Sequence, residues 1–226
     1  SFSCYARGDG RRKGDFMVSR RAVLAGAAFA PAIFAACRAQ GGAPRRPRAN
    51  LYQCEGCDGA FERSADTLGP SAVIASESEP GEPFVFRGRV LALDGAPAPG
   101  VVIYAYHTNN DGLYANGTPE TEWSRRHGRL RGWAKTGADG VYEFRSIKPA
   151  PYPNNVMPAH VHLTVAEPGR RPYWIDDIVF EGEFGVTDAY RRRMVQQGGD
   201  GVVALSRLAS GEWMAARDIL LEPHPV

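Results

Sequence analysis

From residue 84 onward, apolar and β-branched side chains come in short runs bounded by Gly, Pro and Asp, and within the runs they alternate with polar ones. A repeat of two predicts strands rather than helices. The runs fall at residues 84–93, 101–107, 130–136, 141–147, 160–166, 175–181, 202–208 and 212–221. Gly137-Ala138-Asp139-Gly140 reads as a hairpin turn between the third and fourth. A helical period is suggested only over 188–196. The expectation is an all-β fold, an antiparallel β-sandwich of about eight strands over 83–226, with long candidate active-site loops.

The chain before this body lacks such alternation. Ala22 to Ala36 is an apolar run too short and too Ala-rich for a membrane span, and Ser19-Arg20-Arg21-Ala22-Val23-Leu24 precedes it. Paired arginines before a weakly apolar run predict a twin-arginine export signal over 17–39; the competing reading is an ordinary basic n-region. Met17 is the expected start, with 1–16 an upstream artefact of gene calling. Phe34-Ala35-Ala36-Cys37 is similar to a lipoprotein box, so a membrane tether through lipidated Cys37 stands beside cleavage to a soluble form beginning near Gln40. The expected location is the periplasm or cell envelope.

Residues 40–82 read as a tether and a loop-rich segment, with Gly, Pro and Arg but no period over 40–50. Cys54-Glu55-Gly56-Cys57 can be half a zinc site, a redox pair or a local disulfide. Without a second pair or a preceding strand, and in an exported chain, the disulfide is the better reading. Cys4 lies in the leader.

Charge separates the leader from the body. The 226 residues carry a formal +2, but the first fifty hold ten Arg and Lys against two Asp, and the remainder 17 against 23, about −6. The folded part is therefore acidic, which argues against a nucleic-acid partner. With 43% apolar and 23% charged residues the chain is globular, and 26 Gly with 17 Pro favour turns and short strands.

The chemistry concentrates between residues 142 and 181. His160-Val161-His162 opens a strand, so both imidazoles project to one face and Val161 to the other. They can share a metal, or be two satisfied polar residues at a strand start. Tyr152 lies in Pro149-Ala150-Pro151-Tyr152-Pro153, where prolines restrict the backbone. His107 and His127 compete for a metal role but read as surface or loop residues, and His224 lies in the tail. Trp133, Tyr173 and Trp174 are by default core, as aromatics in a sandwich usually are.

The run Asp139 to Pro153, followed by Pro158-Ala159-His160-Val161-His162, resembles the intradiol ring-cleavage dioxygenases of the protocatechuate 3,4-dioxygenase and catechol 1,2-dioxygenase type. Gly88-Arg89-Val90, residues 96–101, Asp111-Gly112-Leu113-Tyr114 and Phe180-Glu181-Gly182-Glu183 sit where that family has similar segments. The resemblance implies a mononuclear non-heme Fe(III) held by Tyr114, Tyr152, His160 and His162. It also implies a small catechol and O2 as substrates, with cleavage between the two hydroxyl-bearing carbons to a cis,cis-muconate-type product, and Tyr114 as the ligand that yields to substrate. A homo-oligomer is compatible with it. Elementary chemistry agrees: phenolate is a hard anionic donor suited to a trivalent ion, whereas zinc more often takes His with Cys or carboxylate.

Two positions depart from the family pattern. Met157 stands where an Arg is common three residues before the first histidine, and Asp177 where a Gln is common; both are expected beside the substrate pocket. Loss of the guanidinium and gain of an anion predict a preference for uncharged, electron-rich catechols, unless an arginine from Arg125 to Arg131 folds over the site. The departures also keep open a second class, a non-catalytic exported β-sandwich binding module derived from the same fold.

Overall fold

The computed structural model describes residues 45–154 and 156–226, which belong to the compact unit Ala43–Val226. The expected export signal over 17–39, Cys4 and Cys37 lie outside the described residues. In chain order the strands are β1 (Ser71–Val73), β2 (Pro83–Leu91), β3 (Val102–His107), β4 (Arg131–Lys135), β5 (Val141–Ile147), β6 (His160–Ala166), β7 (Tyr173–Phe180), β8 (Val202–Val203), β9 (Leu205–Arg207), β10 (Trp213–Ala216) and β11 (Ile219–Leu220). Two short helices, α1 (Glu122–His127) and α2 (Asp188–Arg193), join them. Among the described residues no helix is long and apolar enough to cross a membrane.

One sheet runs β1-β5-β2-β10-β9, with β11 also on β2, and the other runs β4-β3-β6-β7-β8. Their inner faces meet in a core where Phe86 stacks on Phe144 at 4.8 Å and Phe84 meets Phe180 edge-on at 5.5 Å. Alternation chose which residues enter it: Val161, Leu163 and Val165 of β6 are core residues, while His160 and His162 between and beside them lie on the other face.

The expectation of a purely antiparallel sandwich needs correction, because both sheets are mixed. The β2–β5, β3–β4, β3–β6, β6–β7 and β9–β10 pairs are antiparallel, but β1–β5, β2–β10, β2–β11 and β7–β8 are parallel. All four parallel pairs join segments far apart in sequence, and a long connection lifts the constraint that makes neighbouring strands antiparallel.

The Gly137–Gly140 turn is present, with Gly140 N–H donating to the Gly137 carbonyl at 3.0 Å, but it does not close a hairpin. It carries the chain from β4 in one sheet to β5 in the other. Facing each other across the core lets both strands bury their apolar sides: a side chain at Gly132 would meet Ile74 at 2.7 Å and Phe144 at 3.5 Å. The last two predicted strands each break in two. Between β10 and β11 the Arg217 carbonyl crosses β2 so closely that a Cβ on Gly88 would lie 1.8 Å from it, an approach only glycine allows.

The segment before β2 contributes more than a tether. Leu51 is fully buried, β1 adds an edge strand, and Arg45 and Arg48 both bind the buried Glu222 carboxylate. Cys54 and Cys57 are joined by a disulfide.

Candidate active site

Three local devices bring four polar side chains together. The first is a tight turn after β3, in which the Asn109 side-chain oxygen accepts from Asp111 N–H and Leu113 N–H, both at 3.0 Å, and sends the chain back to Tyr114. The second is the proline-rich loop of Tyr152. It is laced to the first by the Thr108 hydroxyl, which donates to the Ala150 carbonyl at 2.7 Å, and by Gly112, whose absent Cβ would sit 2.1 Å from the Pro151 carbonyl oxygen. The third is β6, which presents His160 and His162 on one face.

The four donor atoms converge. Tyr114 Oη lies 3.1 Å from Tyr152 Oη, 3.4 Å from His160 Nε2 and 2.9 Å from His162 Nε2. Tyr152 Oη lies 3.5 Å from His160 Nε2, and the two Nε2 atoms are 3.1 Å apart. Each imidazole spends its other nitrogen outward. His160 Nδ1–H donates to the Pro158 carbonyl at 2.7 Å, and His162 Nδ1 lies 2.9 Å from Asp177 Oδ1. Both Nε2 atoms are thereby left as lone-pair donors aimed at one point. Two lone pairs 3.1 Å apart repel unless a cation or proton lies between them.

The donor set fits a metal ion. Metal–nitrogen and metal–oxygen distances of about 2.0–2.2 Å place neighbouring ligands roughly 3 Å apart, as these are. Burial, then the neighbouring His162 charge, lowers the His160 pKa, which keeps it neutral and able to bind metal. Burial, then Tyr152, raises the Tyr114 pKa, so its phenol ionises only beside a strong cation. Burial alone would raise the Asp177 carboxyl, but His162, His160 and Arg217 more than offset this and hold it below the usual carboxylate range.

His160, His162 and Asp177 also lie close enough to form a three-residue cluster. Asp177 engages the His162 nitrogen that faces away from the convergence point, so it orients this imidazole and stands outside the donor set. Expected at the substrate's side, it does line the cleft, but one oxygen is committed to His162.

The cleft beside the cluster has a volume of about 670 Å³. His162, Asp177, Tyr106, Met157 and Trp174 line it, with the Cys54–Cys57 loop and Tyr190, Arg193 and Met194 from the region of α2. Met157 and Trp174 are lining residues, whereas Tyr173 is buried in the core. Arg125, Arg126, Arg129 and Arg131 are paired with Glu120, Glu55, Glu79 and Glu62, and none lines the cleft.

The histidines outside the motif are not surface residues. His107 is fully buried, with Nδ1–H donating to the Thr108 carbonyl at 2.7 Å and Nε2 accepting from the Ser146 hydroxyl at 2.7 Å. Partners for both nitrogens make its burial tolerable. His127, on the unanticipated α1, lies 2.8 Å from Tyr104 Oη and stacks on Tyr106 at 4.0 Å. Tyr106 in turn stacks on His162 at 4.6 Å, packing that ring from one side. The sequence signal for α1 was Thr121-Glu122-Trp123-Ser124, whose end residues cap each other reciprocally. His224 is also docked, bonded to Tyr52 and Glu167.

Comparison with known proteins agrees with this geometry. A family profile described as Dioxygenase matches residues 60–211. The chain is 34% identical over 148 residues to catechol 1,2-dioxygenase 1 of Acinetobacter lwoffii, covering 58% of this chain and 44% of that protein. It is 28% identical over 168 residues to hydroxyquinol 1,2-dioxygenase of Nocardioides simplex, covering 63% and 55%. Among solved structures, the dioxygenase domain of a dioxygenase carbohydrate-binding fusion from Streptomyces sp. SirexAA-E superposes with a TM-score of 0.52 at 24% identity, covering 69% of this chain and 89% of that one. Catechol 1,2-dioxygenase of Acinetobacter radioresistens gives 0.51 at 18% identity, covering 70% and 60%; at such identities these two speak for the fold. The chain spans about half the length of the curated relatives it matches, 44% and 49% in two cases. Family profile, relatives and four-donor cluster together place this chain in the intradiol ring-cleavage dioxygenase family.

Proposed function

We propose that this chain cleaves a catecholic ring between its two hydroxyl-bearing carbons, using O2 and a non-heme iron(III) held by Tyr114, Tyr152, His160 and His162. The observation that carries the reading is the convergence of four donor atoms whose imidazoles are both anchored through Nδ1. Bound there, iron(III) would act as a Lewis acid toward the catechol and activate it for reaction with O2. Catechol and O2 sum to a muconic acid, so no further reductant is needed.

The protein's own residues bind, orient and move protons. Asp177 and the Pro158 carbonyl fix the two imidazoles, and Tyr106 holds His162 in plane by stacking. Ionised beside the iron, Tyr114 Oη would be the acceptor for a catechol proton, and the burial and Tyr152 that raise its pKa would favour that transfer. Met157 presents no hydrogen-bond donor to the ring, and the charged side chains at 125–131 are engaged elsewhere. These features support the expected preference for an uncharged, electron-rich ring over protocatechuate.

The test is oxygen uptake by iron-loaded protein on catechol, 4-methylcatechol, hydroxyquinol and protocatechuate, with the products identified. Ring-opened muconates are expected. No ring-opened product from any of them would favour the non-catalytic binding module, the reading that Met157 suits.

The leader supports export as a further part of the proposal, by the twin-arginine route to the periplasm or cell envelope. Residues 17–39 are its signal, with Cys37 lipidated in one form of the idea and removed in the other.

A further inference from the structure

The cleft is larger than a catechol requires. About 670 Å³ falls inside the range of roughly 300–1,000 Å³ typical of pockets for drug-sized ligands. His162 borders it, and a single dihydroxybenzene ring is small beside that volume. The same lining includes Val156, Phe184 and Val195, which are 66%, 56% and 47% exposed. Single exposed apolar residues are ordinary, but three on the wall of one cleft form a patch of the kind that marks a binding surface.

Three acidic members of the wall are spoken for. Glu55 pairs with Arg126, Asp176 accepts the Gln196 N–H at 2.9 Å, and Asp177 holds His162. Met157 and Trp174 add a flexible thioether and an indole, both suited to contact with an aromatic face. What the cleft offers beyond these groups is the Arg193 guanidinium together with apolar and aromatic contact.

We propose that the preferred substrate is a catechol carrying a bulky apolar substituent, such as a second aromatic ring, seated along Met157, Trp174, Phe184 and Val195. The proposal rests on the ring-cleavage reading and names the substrate class of that site. Such a substituent covers surface that is otherwise exposed, in a cleft that His162 borders.

The experiment compares catechol with 4-phenylcatechol on the full chain. Calorimetric titration should give a Kd about tenfold lower, or better, for 4-phenylcatechol, the gain expected from burying one phenyl face. With iron loaded, kcat/KM should favour 4-phenylcatechol in the same sense. Phe184→Ser and Val195→Ser, at exposed positions that do not threaten folding, should each reduce the 4-phenylcatechol to catechol ratio several-fold. Equal Kd values, or a ratio that neither variant alters, would overturn the proposal. Tighter binding of 3-(3,4-dihydroxyphenyl)propionate than of 4-phenylcatechol would also overturn it, and would assign the extra volume to an anion held by Arg193. Tighter binding of 4-phenylcatechol without ring-opened product from any catechol would uphold the aryl site while defeating the ring-cleavage reading.

Discussion

His162 Nδ1 and Asp177 Oδ1 stand 2.9 Å apart, which turns Nε2 of the same imidazole toward Tyr114 Oη at an equal 2.9 Å. A carboxylate behind a metal-binding histidine fixes its tautomer and raises its basicity, and such partners are typically worth about 10–100-fold in metal affinity. Asp177→Ala should therefore weaken iron binding by that order, with Asp177→Asn recovering part of the loss through its side-chain oxygen. Competition against a chelator measures it. Affinity unchanged in Asp177→Ala would show that His162 needs no such support.

Tyr152→Phe removes one hydroxyl from a cluster in which Tyr114 Oη is 3.1 Å away. Tyrosinate on iron(III) absorbs in the visible, so the loaded wild-type protein should be burgundy. The variant should lose or strongly shift that band while its far-ultraviolet circular dichroism stays the same. Unchanged colour at unchanged iron content would remove Tyr152 from the ligand set.

Gly112 holds the two tyrosine loops together, with φ of +75° and space for no Cβ against the Pro151 carbonyl. Gly112→Ala should cost about 1–3 kcal/mol, the scale of such backbone strain, and also weaken metal binding by moving Tyr114 from Tyr152. Gly169, at φ +70° with open space around it, is the control. Gly169→Ala carries the dihedral strain alone and should leave metal affinity unaltered. Equal effects of the two substitutions on metal binding would sink the idea of loop contact.

Burial, partly offset by the hydrogen bond to the Thr108 carbonyl, lowers the His107 pKa from 6.5 to about 4. Between those values the unfolded chain binds the proton and the folded one does not. Stability therefore rises with pH through this window, and acidification from pH 6.5 to 4 should remove about 3 kcal/mol from this group. His127, also lowered to about 4 by burial first, adds in the same direction. Urea unfolding at stepped pH tests it: His107→Gln should flatten the dependence, and an equally steep profile in the variant would assign the acid loss elsewhere.

For export, Arg20→Lys combined with Arg21→Lys should trap the precursor in the cytoplasm, which cell fractionation reports. Normal export of the double variant would point to the general secretory route. Cys37→Ala should turn membrane-associated protein soluble if that cysteine is lipidated, and an unaltered partition would discard the tether.

The period of two in the sequence determined where most strands lie and which face of β6 holds the histidines, because alternation is a local consequence of strand geometry. The short motifs around Tyr114, Tyr152, His160 and His162 were legible for a related reason. Their turns and prolines act over a few residues, and the family resemblance covers them.

Partnering over longer distances was decided by the tertiary structure. β4 and β5 follow one turn yet join different sheets and face each other across the core, where a side chain at Gly132 would meet Phe144. His107 and His127 look like loop residues in sequence and become buried only because Ser146 and Tyr104, 39 and 23 residues away from them, supply hydrogen bonds. Asp177 reads as a charge in the substrate's path until β7 pairs with β6 and places its carboxylate behind His162. The sequence supplies donors with local geometry, but which donor meets which acceptor depends on sheet register and chain crossings, which the packing of the whole chain sets.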